Sequence, residues 1–258
     1  MISIVTAYYN RKSLFLATLQ SIARTVYKDF EVIAVDDASR EEERLEDLLP
    51  KFPFLRVIRV EEKDKWYANS CIPYNMGVAK AIGNIIVLQN PECLHVHDVL
   101  SYVAQAVHND NYISMSTYSI DANLTQSVLL STEPLTFLKT LPQRHVDGYV
   151  GWYNHSVYNP CEFHFCSAVS MVNIIKLGGF DERFANGIGY EDNEFLDRVN
   201  RLGLHKIIND DVSVIHQWHP KVYDLSTSTY LWDLYIMNGN LHLKTQNETI
   251  IHVKNSYV

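Results

Sequence analysis

Two carboxylates, Glu191 and Asp192, follow Gly187, Gly189 and Tyr190, so an acidic pair enters a helix from a loop that bends easily. Acids are common in a first helical turn because the helix dipole favours them there, so the pair taken alone reads as an ordinary helix start. Asp36 and Asp37 close an apolar run and are followed by Ala38 and Ser39. There they either cap a turn or accept hydrogen bonds from a ligand. His216 and His219 lie just past another apolar run, at a spacing that one turn presents jointly. Imidazoles so placed serve as metal ligands or as ordinary hydrogen-bonded side chains.

These residues meet only if the elements that carry them form a sheet. Residues 2–6 read as a buried strand and 12–26 as a helix, with Leu16, Leu19, Ala23 and Val26 at helical spacing and Asn10 placed to cap it. Further strands are expected at 30–35, 55–60 and 84–88, with helices at 41–49 and 74–81 between them. This alternation predicts a mainly parallel sheet flanked by helices, with ligands beyond the carboxyl ends of the strands. Thr6, Tyr8 and Asn10 lie beyond the first strand, Asp36 and Asp37 beyond the second, and Asn90 and Glu92 beyond the fourth. The stretch 119–160, rich in Tyr, Trp, His and turn formers, reads as binding loops. Helical patterns return at 170–177, 191–202 and 227–237, with a short strand at 212–215.

Composition narrows the partners. The 258 residues, 47% hydrophobic, fit one α/β domain. A net charge of −8 with no dense Lys/Arg run argues against a nucleic-acid partner, because such binders neutralise many phosphates at once. An anionic small ligand remains compatible, since a bound cation and local geometry can hold phosphate. Cys71, Cys93, Cys161 and Cys166 form no CxxC pair, so reduced thiols are expected. No run of about 18 apolar residues occurs, which predicts no membrane span and a cytoplasmic protein.

Four segments together resemble the family 2 glycosyltransferases of the GT-A fold: IVTAYYNR, VIAVDDAS, PYNMGVAKAIGNIIVLQNPE and GGFDERFANGIGYEDNEFLDRVNRLG. The last is the most specific, joining a Gly-Gly-Phe-Asp-Glu turn to an acidic pair and an Arg-containing helix. The resemblance implies a single domain over 1–258, with a nucleotide-sugar half at 1–92, an acceptor and catalytic half at 93–220 and a C-terminal helical extension at 221–258. It implies a nucleotide-sugar donor, a UDP-sugar by preference, and a glycan or other hydroxyl acceptor.

Residue by residue, the resemblance puts Thr6, Tyr8, Asn10, Asp36, Asp37, Asn75 and Asn90 in the donor pocket, Asp192 as the base of an inverting transfer and Glu191 as its acceptor-side neighbour. The family's Asp-x-Asp metal motif is replaced by Asn90-Pro91-Glu92, leaving one carboxylate and one amide. Some relatives add a His after the acidic-pair helix, and His216 stands there. Glu92, Asn90 and His216 are therefore the expected divalent-cation ligands, the imidazole suiting Mn²⁺ better than Mg²⁺. Trp152, His155 and Trp66 are expected sugar platforms, since an aromatic ring can cover a sugar's apolar face. Two other readings compete: a noncatalytic glycan-binding or scaffold protein on the same fold, and a zinc hydrolase using His216, His219 and a carboxylate.

Overall fold

The computed structural model describes residues 1–131, 133–220, 225 and 228–258. In chain order its elements are β1 (Ile2–Tyr8), α1 (Lys12–Ile22), β2 (Phe30–Asp37), β3 (Leu55–Val60), α2 (Cys71–Val78), β4 (Ile85–Gln89), β5 (Cys93–His95), α3 (Val99–Ala106) and β6 (Asn111–Ser119). There follow α4 (Ala122–Leu130), α5 (Pro134–Thr140), β7 (Gly151–Asn154), β8 (Cys166–Ser170), α6 (Met171–Leu177), α7 (Glu191–Arg201), β9 (His205–His216) and α8 (Thr229–Thr245).

The strands form one mixed sheet in the order β3-β2-β1-β4-β8-β6-β9-β5, with β7 added on β6. β3, β2, β1 and β4 run parallel, so their carboxyl ends open on the same side. β8 joins antiparallel to both β4 and β6. Helices cover both faces, and alternation along β1 shows why: Ile2 and Ile4 enter a core with Phe15 and Leu19 of α1, while Val5 enters one with Ile72 of α2 and Phe195 of α7. Burial of each such aliphatic side chain favours folding by about 1.5–3 kcal/mol. Helix α2 lies so close to the sheet that Gly77 packs directly on Val5 and Val35, leaving no room for a methyl group.

Several elements differ from the sequence expectation for identifiable reasons. Residues 41–49 form two short 3-10 turns, Glu41–Glu43 and Glu46–Leu48, instead of a helix. Five acids crowd this stretch, and Leu45 and Leu48 alone reach the core. Asn10 does not cap α1: it adopts φ +49° and its side chain accepts from the Arg40 N–H at 2.9 Å. The Glu43 carboxylate instead accepts from the Lys12 N–H at 2.8 Å. Helix α1 stops at Ile22, and the next turn is tied down where Asp98 accepts from the Val26 N–H at 2.9 Å. Strand β6 has a polar sequence, NYISMSTYS, yet is buried at every position, and it supplies a long parallel partner that extends β9 to twelve residues. The stretch 119–160 contains α4, α5 and β7 packed around Tyr118, Ile120 and Trp152, and is not an open set of loops.

The expected final helix begins at Thr229; Thr227, and positions 221–224 of the expected C-terminal extension, lie outside the described residues. Among the described residues no helix is long and apolar enough to cross a membrane. All four cysteines are free thiols.

Candidate active site

A cleft of about 620 Å³ opens at the carboxyl ends of β1, β2 and β4, where a parallel sheet binds ligands. Tyr8, Tyr9, Arg11 and Asp37 form one wall, Asn90 and Pro91 the floor, and Phe163, His164 and Phe165 a second wall. Asn69, Ser70, Ile188, Gly189, Glu191 and Asp192 complete it.

At one end the Asp37 carboxylate is held by Lys65 Nζ at 2.8 Å and accepts from the Tyr67 hydroxyl at 2.8 Å. Lys65 also sits 4.9 Å above the Tyr9 ring, a cation–π contact that fixes this corner. The corner offers a carboxylate, a cation and the Tyr9 ring, a set suited to a base and ribose.

The next group is assembled by strand register. β5 pairs antiparallel with β9, Cys93 opposite His216, which brings the residue before β5, Glu92, against the end of β9. The buried Glu92 carboxylate meets His216 Nε2 at 3.0 Å and His219 Nε2 at 3.2 Å through one oxygen, and Arg11 at 2.8 Å through the other. Burial alone would raise this carboxyl, but Arg11, His216 and His219 together outweigh it and hold Glu92 well below the usual carboxylate range. Ligand atoms of Glu92, His216 and His219 all lie within 4.8 Å of one another. Two imidazole nitrogens converging on one ionised oxygen make a nitrogen and oxygen donor set that fits a divalent cation such as Mn²⁺ or Zn²⁺. Phe165 lines the cleft and packs edge-on to His216, so the cluster adjoins the cleft.

The acidic pair reaches the cleft from α7. Tyr190 adopts φ +67° and turns the chain into the helix. Glu191 is fixed by Asn69 Nδ2 at 2.8 Å and Ser70 Oγ at 3.2 Å. Asp192 is held by the backbone N–H of Asn193 at 3.1 Å. Burial, and secondarily the neighbouring Glu191 carboxylate, push the Asp192 carboxyl up to about 7. A carboxyl with that proton affinity is suited to general-base work near neutral pH. The supporting loop is pinned by α8: Asn238 Nδ2 donates to Phe184 O at 3.1 Å and to Gly189 O at 2.8 Å, and Gly187 lies flush against its amide.

Other expected site residues fall elsewhere. Asn75 is fully buried, and its amide donates to Phe180 O and accepts from Phe180 N–H, both at 2.8 Å. It clamps the Gly-Gly-Phe turn and has no face toward the cleft, which corrects the expected donor contact. Asp36 is buried, paired with Arg59 at 3.0 Å and accepting from the Ser39 N–H at 2.9 Å, so of the two aspartates Asp37 alone lines the cleft. Thr6 is buried below the cleft. Tyr8 reaches the lining with its ring in the core and its hydroxyl donating to Glu43 O at 2.6 Å, and so offers no stacking face. Asn10 lies outside the lining, joined to Ser39 and Arg40.

Trp152 is 4% exposed, edge-on to Tyr118, with its indole N–H donating to Gln143 at 3.1 Å; it is a core residue and not a sugar platform. His155 packs between Trp152 and Tyr158 and faces Asp210, outside the cleft lining. Trp66 is exposed beside Tyr67, also outside the lining. Asn90 lines the cleft and accepts from the Tyr74 hydroxyl at 3.2 Å, while the imidazoles that converge on Glu92 are those of His216 and His219. Arg11, Lys65, Asn69 and Ser70 join the site without any sequence signal. His219, outside the expected ligand set, joins His216 against Glu92, and the His216–His219 spacing had suggested that one turn presents the two together.

The sequence profile of glycosyl transferase family 2 matches residues 3–166, well over half the chain, and the protein belongs to that family. No curated protein matches the chain by sequence. The GT-A fold is shared with the mannosyltransferase PcManGT from Pyrobaculum calidifontis, solved in complex with GDP-Man and Mn²⁺: TM-score 0.58, 17% identity, covering 95% of this chain and 62% of that one. It is shared also with S. aureus TarS 1-349 in complex with UDP-GlcNAc: TM-score 0.61, 12% identity, covering 96% of this chain and 68% of that one. The chain thus spans about three fifths of the mannosyltransferase's length. Membership in a family of glycosyl transferases disfavours the hydrolase alternative, although the two histidines and a carboxylate which that alternative required do come together.

Proposed function

We propose that the protein transfers a sugar from a nucleotide-diphosphate donor, a UDP-sugar by preference, to a hydroxyl of a glycan acceptor with inversion at the anomeric carbon. The observation that carries this reading is that Asp37 and a proton-avid Asp192 line one cleft, which the Glu92 cluster adjoins through Arg11 and Phe165.

Asp37, with Lys65 and Tyr9, receives the base and ribose. Arg11, which lines the cleft while paired with Glu92, meets the diphosphate through charge-assisted hydrogen bonds. Glu92, His216 and His219 would hold the cation, which when bound supplies positive charge against the departing diphosphate. Glu191, locked by Asn69 and Ser70, orients the acceptor. Asp192 takes the acceptor hydroxyl's proton as its oxygen bonds to the anomeric carbon and the bond from that carbon to the nucleoside diphosphate breaks.

The test is a panel of UDP- and GDP-sugars incubated with Mn²⁺ and mixed glycan acceptors, followed by NMR of the anomeric proton. A product of opposite anomeric configuration supports the reading. Retention of configuration, or no consumption of any donor, refutes it.

A further inference from the structure

Helix α8 carries a row of aromatic rings that the transfer reaction as described does not use. Trp232 is 49% exposed and its ring lies 5.7 Å from that of Tyr235. Tyr235 lies 5.0 Å from Tyr190, and the two hydroxyls hydrogen-bond at 3.0 Å. Tyr190 is the residue immediately before Glu191 and Asp192. Tyr235 also borders Gly189, which lines the cleft. The row is fixed relative to the acidic pair, because Ile188 N–H donates to Leu234 O at 3.2 Å and Asn238 grips Gly189.

We propose that Trp232 and Tyr235 form an acceptor platform on which a sugar chain lies as it leads into the cleft, so that the acceptor is an oligosaccharide or polysaccharide end and not a single sugar or a bare side chain. This deepens the transferase reading and rests on it for the direction in which the chain points. Flat rings match the apolar faces of pyranoses, and the track is continuous with the site of the proposed base. Tyr230, Asp233 and Met237 are exposed on the side of the helix away from Trp232 and Tyr235, so its apolar side chains form no single membrane-facing stripe. A bilayer surface, anionic in most membranes, is further mismatched to a protein of net charge −8.

The test is calorimetry of the full chain with cellotetraose, chitotetraose, maltotetraose and mannotetraose, comparing the wild type with W232A and W232F. UDP binding in Mn²⁺ is measured alongside as the donor-side control. At least one tetrasaccharide binds the wild type; W232A weakens it about tenfold or more, and W232F restores most of the affinity. Four results would overturn the platform. They are no tetrasaccharide binding at about 10 mM, well above the range of specific affinities, binding indifferent to W232A, a Trp232-dependent dimer by light scattering, and Trp232-dependent sedimentation with phosphatidylcholine vesicles. If Trp232-dependent glycan binding persists while no nucleotide binds, the transferase reading fails and the platform stands as a noncatalytic glycan site.

Discussion

Replacing Asp192 by Asn removes a charge that the folded chain holds at a cost. Burial raises this carboxyl to about 7, against about 3.9 for an unperturbed aspartate. Each tenfold change in proton affinity corresponds to about 1.4 kcal/mol, so the ionised group disfavours the folded state by up to about 4 kcal/mol. Water entering the open cleft screens the charge and brings the expected cost nearer to about 2 kcal/mol. Because the folded-state proton affinity is the higher one, the cost is absent below about pH 4, grows as pH rises toward 7 and is complete above it. D192N therefore gains stability over the wild type only as pH rises. In EDTA, where no cation contributes, calorimetric melting at pH 4 gives equal stabilities, and at pH 8.5 the variant melts about 4–8 °C higher. Transfer by the same variant falls by about 10²–10⁴-fold, the contribution of a general base, while UDP affinity is kept. A variant no more stable at pH 8.5 than at pH 4 would refute the burial argument. A variant that still transfers at the wild-type rate would refute Asp192 as the base.

Asn75→Ala loses both hydrogen bonds to Phe180 and strands the buried Phe180 N–H, although Asn255 still donates to the Phe180 carbonyl, so it lowers unfolding free energy by about 2 kcal/mol in urea titrations. Its UDP affinity stays at the wild-type value below the melting range; a selective loss of UDP binding would restore Asn75 to the donor site. Gly187→Ala forces a methyl into the Asn238 amide and displaces the loop before the acidic pair, costing about 1–3 kcal/mol of stability. Its kcat falls while its UDP affinity holds, and equal losses in both would mean that the loop does not act through Asp192.

The parallel half of the fold was legible because its strands are continuous apolar runs, buried on both faces and punctuated by helical patterns. Strands β1 to β4 were all found, β3 with its observed limits. The second half was legible only in part. The apolar end of β9 was found at 212–215, but β9 opens with polar residues and β6 buries five serine, threonine and asparagine side chains, so neither shows its full length as a hydrophobic period. The site divides similarly. Asp37, Asn90 and the acidic pair stand at element ends, where position alone argues for the cleft. Asn75 could not be read correctly, since an amide that clamps a turn and one that holds a ligand look alike in a sequence. Trp152 and Trp232 differ only in burial, which depends on contacts with α5 and β6 or their absence. His216 and His219 meet Glu92 only through the β5–β9 pairing, a contact between segments more than a hundred residues apart.

Calorimetric titration of UDP into the wild type, E92Q, H216A and H219A, each with Mn²⁺ and with EDTA, tests the donor site most directly. The wild type is expected to bind UDP in Mn²⁺ and to lose at least about tenfold in affinity in EDTA, with each variant in Mn²⁺ resembling the wild type in EDTA. Binding of UDP that is indifferent to EDTA and to all three substitutions would contradict the account, because the nucleotide would then be held without the Glu92 cluster.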